Sequence, residues 1–244
     1  MKKRSNLDQV KAVAIALLMT DVGMTEYSPM VVQHPFTSSG LVAIRKAGEI
    51  QMIDITESDE NFRLWQDSVT EMINSAKAPF DVYMMVNKPY ALTFLKYASP
   101  YLTKPELSKI LANAWMRSEN PNMDPNVSQQ KLISLFRMAD PKSLMDEEEL
   151  TRLAGLDDPV TIYRGVTSYN ADHVRAMSWT LNIETAEWFS HRFNEDGAVY
   201  EAQIAKEHIL ALFNGRNESE VVVEPIHLMN VEQVSEPTNE IIMS

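Results

Sequence analysis

The chain has no cysteine among its 244 residues, which excludes disulfides, thiolate metal centres and cysteine nucleophiles. Glycine is scarce: of the seven present, none falls in a G-x-G-x-x-G or Walker-type arrangement. A nucleotide cradled on a glycine-rich turn is therefore not expected, and there is no G-x-S-x-G elbow to raise a serine nucleophile. Basic residues number 22 against 34 acidic ones, a formal net charge of −12. Phosphate neutralisation needs clustered Lys and Arg, so no nucleic-acid partner is expected. Apolar runs fall short of the ~20 residues a spanning helix needs, and no membrane partner is expected. The five histidines, His34, His173, His191, His208 and His227, lack H-x-x-x-H or similar spacing, so no metal site is expected.

What is present is an ordinary globular composition, 45% hydrophobic and 23% charged. The opening "MKKRSNLDQVKAVAIALLMTD" has the basic start and apolar run of a signal peptide. Asp8, Gln9 and Lys11 interrupt it, and no small-x-small cleavage site follows before Asp21. It reads as a mature helix near Leu7 to Met19, with a cytoplasmic location expected.

The segment "LVAIRKAGEIQMIDI" predicts a hairpin turning at Lys46-Ala47-Gly48, with Gly48 supplying the left-handed conformation. Trp65, Val69, Met72, Ile73 and Ala76 then recur at helical spacing. From about Pro79 the pattern is mainly helical. Thr103-Lys104-Pro105-Glu106 is a capping box opening an apolar stripe of Leu107, Ile110, Leu111, Ala114 and Trp115. Ser128 caps a helix carrying Leu132, Leu135 and Phe136, and a third helix runs from "DEEEL" to Gly155. Its acidic first turn, Asp146 to Glu149, suits the helix dipole. Beyond Gly155 come short strands: "VTIYRGV", "AVYEAQIA", "HILALF", "SEVVVEP" and "IHLMNVEQV". One helix, "ETAEWFSHRF", interrupts them, with Ala186, Phe189 and Phe193 on a shared face. Helices followed by strands make an α+β plan, not an alternating βαβ one. The expected division is a mixed α/β accessory region, 1–77, and a main domain, 78–244, helical over 78–155 and strand-rich over 156–244.

In the strand-rich half, three polar groups sit oddly. Arg164 lies inside an apolar strand beside a glycine. Ser178-Trp179-Thr180 stands where a strand hands over to a helix. Glu218-Ser219-Glu220 precedes three valines. Side chains two apart on a strand point to the same face, so Glu218 and Glu220 are expected to share one surface roughly 6.5–7 Å apart. Each group also has a plain role: Arg164 as an ion-pair partner, Ser178 as a helix cap, and the glutamates as a solvated face near Arg216.

In order, Arg, Ser-x-Thr and Glu-x-Glu resemble the three-part signature of the arginine-specific, R-S-E class mono-ADP-ribosyltransferases. "DPVTIYRGV", "SWTLNIETAEWFSHRF" and "ILALFNGRNESEVVV" are similar to that family's core strands, as in its small phage and bacterial members. The resemblance covers roughly 158–223, about a quarter of the chain. Where the family commonly has Ser-Thr-Ser, this chain has Ser-Trp-Thr, keeping the outer hydroxyls. The resemblance implies a split β-sandwich of the ADP-ribosyltransferase type preceded by a helical portion. It implies NAD as co-substrate without a metal, and a target protein accepting ADP-ribose on arginine; a phage enzyme modifying host machinery is one such setting. Glu220, Glu218 and Ser178 would be catalytic. Arg164, Tyr163, Gly165, Trp179, Thr180 and Phe189 would bind NAD, with Trp179, Phe189, Tyr163 and Trp188 offering flat surfaces to nicotinamide. Two alternatives stand beside this reading: an NAD glycohydrolase, and an inactive relative that binds a protein.

Overall fold

The computed structural model describes residues 4–46, 48–192, 197–215 and 217–235. They form a mixed α+β structure in two compact units, Met1–Val127 and Ser128–Ser244.

In the first unit, Asn6 opens α1 (Leu7–Leu18) by accepting a hydrogen bond from the Gln9 amide. Strands β1 (Gly23–Met24), β2 (Val31–His34) and β3 (Thr37–Ser39) make a small antiparallel sheet. The predicted hairpin follows as β4 (Leu41–Lys46) and β5 (Glu49–Asp54), with Gly48 at φ +86°. Ser58 then caps α2 (Asp59–Ser75), and α3 (Pro79–Met84), α4 (Ala91–Ala98) and α5 (Lys104–Arg117) complete the unit. Thr103 caps α5, accepting from the Glu106 amide at 3.4 Å, but the expected capping box does not close: the Thr103 amide donates to Ser5 Oγ at 2.7 Å, and Glu106 Oε2 accepts from the Thr103 hydroxyl at 2.6 Å. Helix α1 buries Val10, Ala14 and Leu18 and packs on α2, α3 and α4. Elements on both sides of position 77 thus share one core, and the boundary expected at 77/78 falls inside this unit.

The second unit begins with α6 (Gln129–Met138), α7 (Pro141–Leu144) and α8 (Glu147–Gly155). Asp146 and Glu149 form a reciprocal capping box at the start of α8. Strands β6 (Val160–Val166) and β7 (Ser178–Thr180) follow, then α9 (Ile183–Ser190). Strands β8 (Ala198–Ile204), β9 (Ile209–Phe213), β10 (Glu220–Val223) and β11 (Met229–Ser235) complete one antiparallel sheet, ordered β11-β8-β6-β7-β10-β9. Two three-stranded halves meet at a single residue pair, Tyr163 with Thr180. One face carries the core: Val160 and Ile162 of β6, Trp179 of β7, Ala202 and Ile204 of β8, and Val221 and Val223 of β10. Each aliphatic side chain removed from water here contributes about 1.5–3 kcal/mol.

On the opposite face α9 lies against β6. A Cβ at Gly165 would come within 2.0 Å of the Ala186 carbonyl oxygen and 2.9 Å of the Phe189 Cβ. Gly165 is therefore accounted for by backbone-to-backbone packing. Two strands start later than their apolar runs suggest, β9 after a 3-10 turn over Lys206–His208 and β11 after one over Pro225–His227. Phe193 and Arg216 lie outside the described residues. No helix among the described residues is long and apolar enough to cross a membrane.

Candidate functional site

The registers place five residues in one row across one face of the sheet. Glu201 of β8 is opposite Tyr163 of β6, Tyr163 opposite Thr180 of β7, Thr180 opposite Glu220 of β10, and Glu220 opposite Phe213 of β9. Opposite residues of antiparallel strands share a face, so the row fixes Glu220 beside the Ser178-x-Thr180 segment. Ser178 Oγ donates to Glu220 Oε1 at 2.5 Å. Thr180 Oγ1 donates to the Glu218 carbonyl at 2.6 Å and accepts from the Asn182 amide at 3.1 Å.

Strand alternation alone would send Arg164 toward the core face. Its guanidinium instead runs alongside β7, where Nη1 donates to the Ser178 carbonyl at 2.5 Å. Three motifs separated in sequence thus meet at Ser178: Arg164 on its carbonyl and Glu220 on its hydroxyl. The Arg164 residue as a whole is half-buried, but its Nε is shielded from water and has no hydrogen-bond partner. Such an orphan donor is uncommon in a folded protein. Burial lowers the Arg164 pKa to about 10, opposed by the nearby charge of Glu220, so the group stays cationic at neutral pH.

Two expectations are corrected. Trp179 offers no face to a ligand: it is 2% exposed, belongs to the core cluster, and donates from Nε1 to the Ala176 carbonyl at 2.9 Å. Its neighbours Ser178 and Thr180 point the other way because successive strand residues alternate. Nor do Glu218 and Glu220 share a strand face. Strand β10 starts at Glu220, and positive φ at Asn217 (58°) and Ser219 (47°) turns the chain just before it. Glu218 therefore belongs to a loop, whose backbone is tied down by Thr180 and by the Leu181 amide, which donates to the Ser219 carbonyl at 3.1 Å.

Tyr163 is half-buried on the row. Burial and the carboxylates of Glu201 and Glu184 raise its pKa, so the phenol stays protonated. Phe189 packs beside Gly165 and edge-on to Trp188, at 4.9 Å between ring centroids, and Trp188 is 60% exposed. Sequence reasoning missed Glu201, whose place in the row follows only from the β6–β8 register. It also missed Glu149, whose Oε1 accepts from the Asn214 amide at 2.8 Å; its one sequence signal was the capping box.

A second cluster was also invisible to spacing. The rings of His208 and His227 stack in parallel at 3.5 Å, and His227 Nε2 lies 3.6 Å from Glu224 Oε2. One ligand atom from each of the three residues falls within 4.8 Å of the others. A metal ion must lie in the plane of each imidazole it ligates, and parallel planes have no common point. Glu224 is already gripped at both oxygens, by Arg137 Nε at 2.7 Å and by Arg137 Nη2. These residues as arranged do not suit a metal. A cavity of about 490 Å³ lies beside Arg137 and Glu224, and none of the Arg164, Ser178 or Glu220 side chains lines it.

No protein-family profile, curated protein or solved structure matches this chain. The functional reading therefore rests on the site itself.

Proposed function

We propose that this protein is an NAD-dependent mono-ADP-ribosyltransferase acting on arginine of a target protein. The observation that carries the reading is the meeting of Arg164, Ser178 and Glu220 at one point of the sheet. The single-pair junction between the two sheet halves agrees with the split β-sandwich that the resemblance implies.

The chemistry asks for three things. Cleaving the bond between ribose C1′ and nicotinamide passes through an oxocarbenium-like state, which an anion stabilises. Glu220 supplies that anion, and the Ser178 hydroxyl holds it in one rotamer. A pyrophosphate needs a fixed cation with directed donors. Arg164 is cationic and immobilised by the Ser178 carbonyl. Transfer then needs a base beside the acceptor. The guanidinium nitrogen attacks C1′ as neutral nicotinamide leaves, and Glu218 takes the proton that the guanidinium loses.

The test is transfer of biotin label from biotinylated NAD to proteins in a lysate, run beside nicotinamide release. The expected outcome is label on discrete proteins, absent with Glu220→Gln and released by hydroxylamine as arginine adducts are. Nicotinamide release without label would make the protein a glycohydrolase. Neither signal from folded protein would sink the enzymatic reading.

A further inference from the structure

The segment between β9 and β10 carries Glu218, and different elements hold its two ends. At its start the Asn214 amide donates to Glu149 Oε1 at 2.8 Å. At its end Thr180 Oγ1 and the Leu181 amide hold the Glu218 and Ser219 carbonyls. Between them the Asn217 amide donates to the Asn214 carbonyl at 2.9 Å, and Asn217 and Ser219 stand at positive φ. A backbone so constrained has little freedom to place its side chains elsewhere.

Glu149 is 8% exposed, and both its oxygens are used: Oε2 accepts from the Asp146 amide at 3.0 Å and completes the capping box. That box is finished without Oε1. The bond to Asn214 therefore serves the loop and not the helix, and a buried carboxylate is costly to keep unless each oxygen is satisfied. Glu220, by contrast, is held by Ser178 and by its own strand.

We propose that Glu149 is a positioning residue that fixes the start of the Glu218 loop and so governs how ADP-ribose is divided between a protein acceptor and water. This rests on the function proposed above. Cleavage depends on Glu220 and is independent of Glu149. Transfer depends on Glu218 standing where it receives the guanidinium proton, and small displacements of such a base are costly.

The experiment compares the wild-type chain with Glu149→Met, Glu149→Gln and Asp146→Ala. Three quantities are read: label transfer, nicotinamide release, and hydrogen exchange of the amides in 214–219. Glu149→Met keeps the volume but removes both acceptors, the one for Asn214 and the one for the Asp146 amide, which is why the cap is tested separately. It is expected to speed exchange in the loop and to lower the transfer-to-release ratio at least roughly ten-fold, the loss of one charge-assisted bond. Glu149→Gln has one acceptor oxygen; turned to Asn214 it keeps the loop bond, sets its NH2 against the Asp146 amide and so weakens the cap, and restores the ratio. Asp146→Ala weakens only the helix cap; it lowers the melting temperature and leaves the ratio alone. If Glu149→Met fails to fold, Asn214→Pro deletes the donated amide and is read the same way.

Unchanged loop exchange in Glu149→Met overturns the proposal. So does a parallel fall of transfer and release, or an equal effect of Asp146→Ala. If the wild-type protein releases no nicotinamide, the proposed function fails and the claim about transfer falls with it. Loop exchange still decides on its own whether Glu149 fixes the loop.

Discussion

Ser178 and Glu220, 42 residues apart, are joined by a 2.5 Å hydrogen bond from the serine hydroxyl to one carboxylate oxygen. The bond fixes the rotamer of the carboxylate on which the proposed chemistry depends. Replacing Ser178 by Ala leaves the strand pairing intact and removes the charge-assisted bond. Nicotinamide release is expected to fall by roughly 10- to 100-fold, the equivalent of about 1.5–3 kcal/mol. The melting temperature should hardly move. Release equal to wild type would show that Glu220 does not need Ser178.

Trp179 supplies the opposite expectation. It fills the core and its Nε1 is satisfied by Ala176. Trp179→Phe loses both volume and that bond, which should cost about 1–3 kcal/mol in urea unfolding. Because the indole faces away from Ser178 and Thr180, the KM for NAD should stay at the wild-type value. A raised KM with unchanged stability would return Trp179 to the binding site.

Gly165 gives a steric prediction. Alanine there would place Cβ 2.0 Å from the Ala186 carbonyl oxygen, a backbone atom that α9 cannot withdraw without sliding off β6. We expect a loss of at least about 3 kcal/mol, seen as a lowered denaturant midpoint. Gly48→Ala is the control. A Cβ at Gly48 meets nothing within 4 Å, and only its positive φ is unfavourable, a cost of about 1–2 kcal/mol.

The Arg137–Glu224 pair sets part of the acid sensitivity. The hydrogen bonds and charge of Arg137, aided by His227 and His208, hold the Glu224 pKa below the usual carboxylate value despite burial. The folded state therefore binds the proton less readily than the unfolded chain. The stabilisation is complete above the ordinary glutamate pKa near 4.5 and disappears as pH falls through the lower folded value. Glu224→Gln should lower the melting temperature by a few degrees at neutral pH. It should also flatten the decline below pH 4.5 that the wild type shows. An identical decline in both proteins would assign the acid sensitivity elsewhere.

Local order is what the sequence by itself determined. The Gly48 hairpin, the Thr103 and Ser128 caps, the acidic first turn of α8, and the apolar runs of β6 and β10 all appear where composition and period put them. These features act over a few residues, so turn chemistry, capping and period suffice to specify them. The three motifs of the candidate site were legible as residue types in order. Tertiary structure decided what they touch. Whether Trp179 faced a ligand or the core depended on which side of β7 was covered, and that is set by β6, β8 and β10. The loop position of Glu218 depended on positive φ at Asn217 and Ser219, with no glycine at either position to announce it. The Glu149–Asn214 bond and the His208–His227 stack join residues far apart in the chain. Strand register and helix packing choose such contacts, and they are collective properties of the fold that no local pattern encodes.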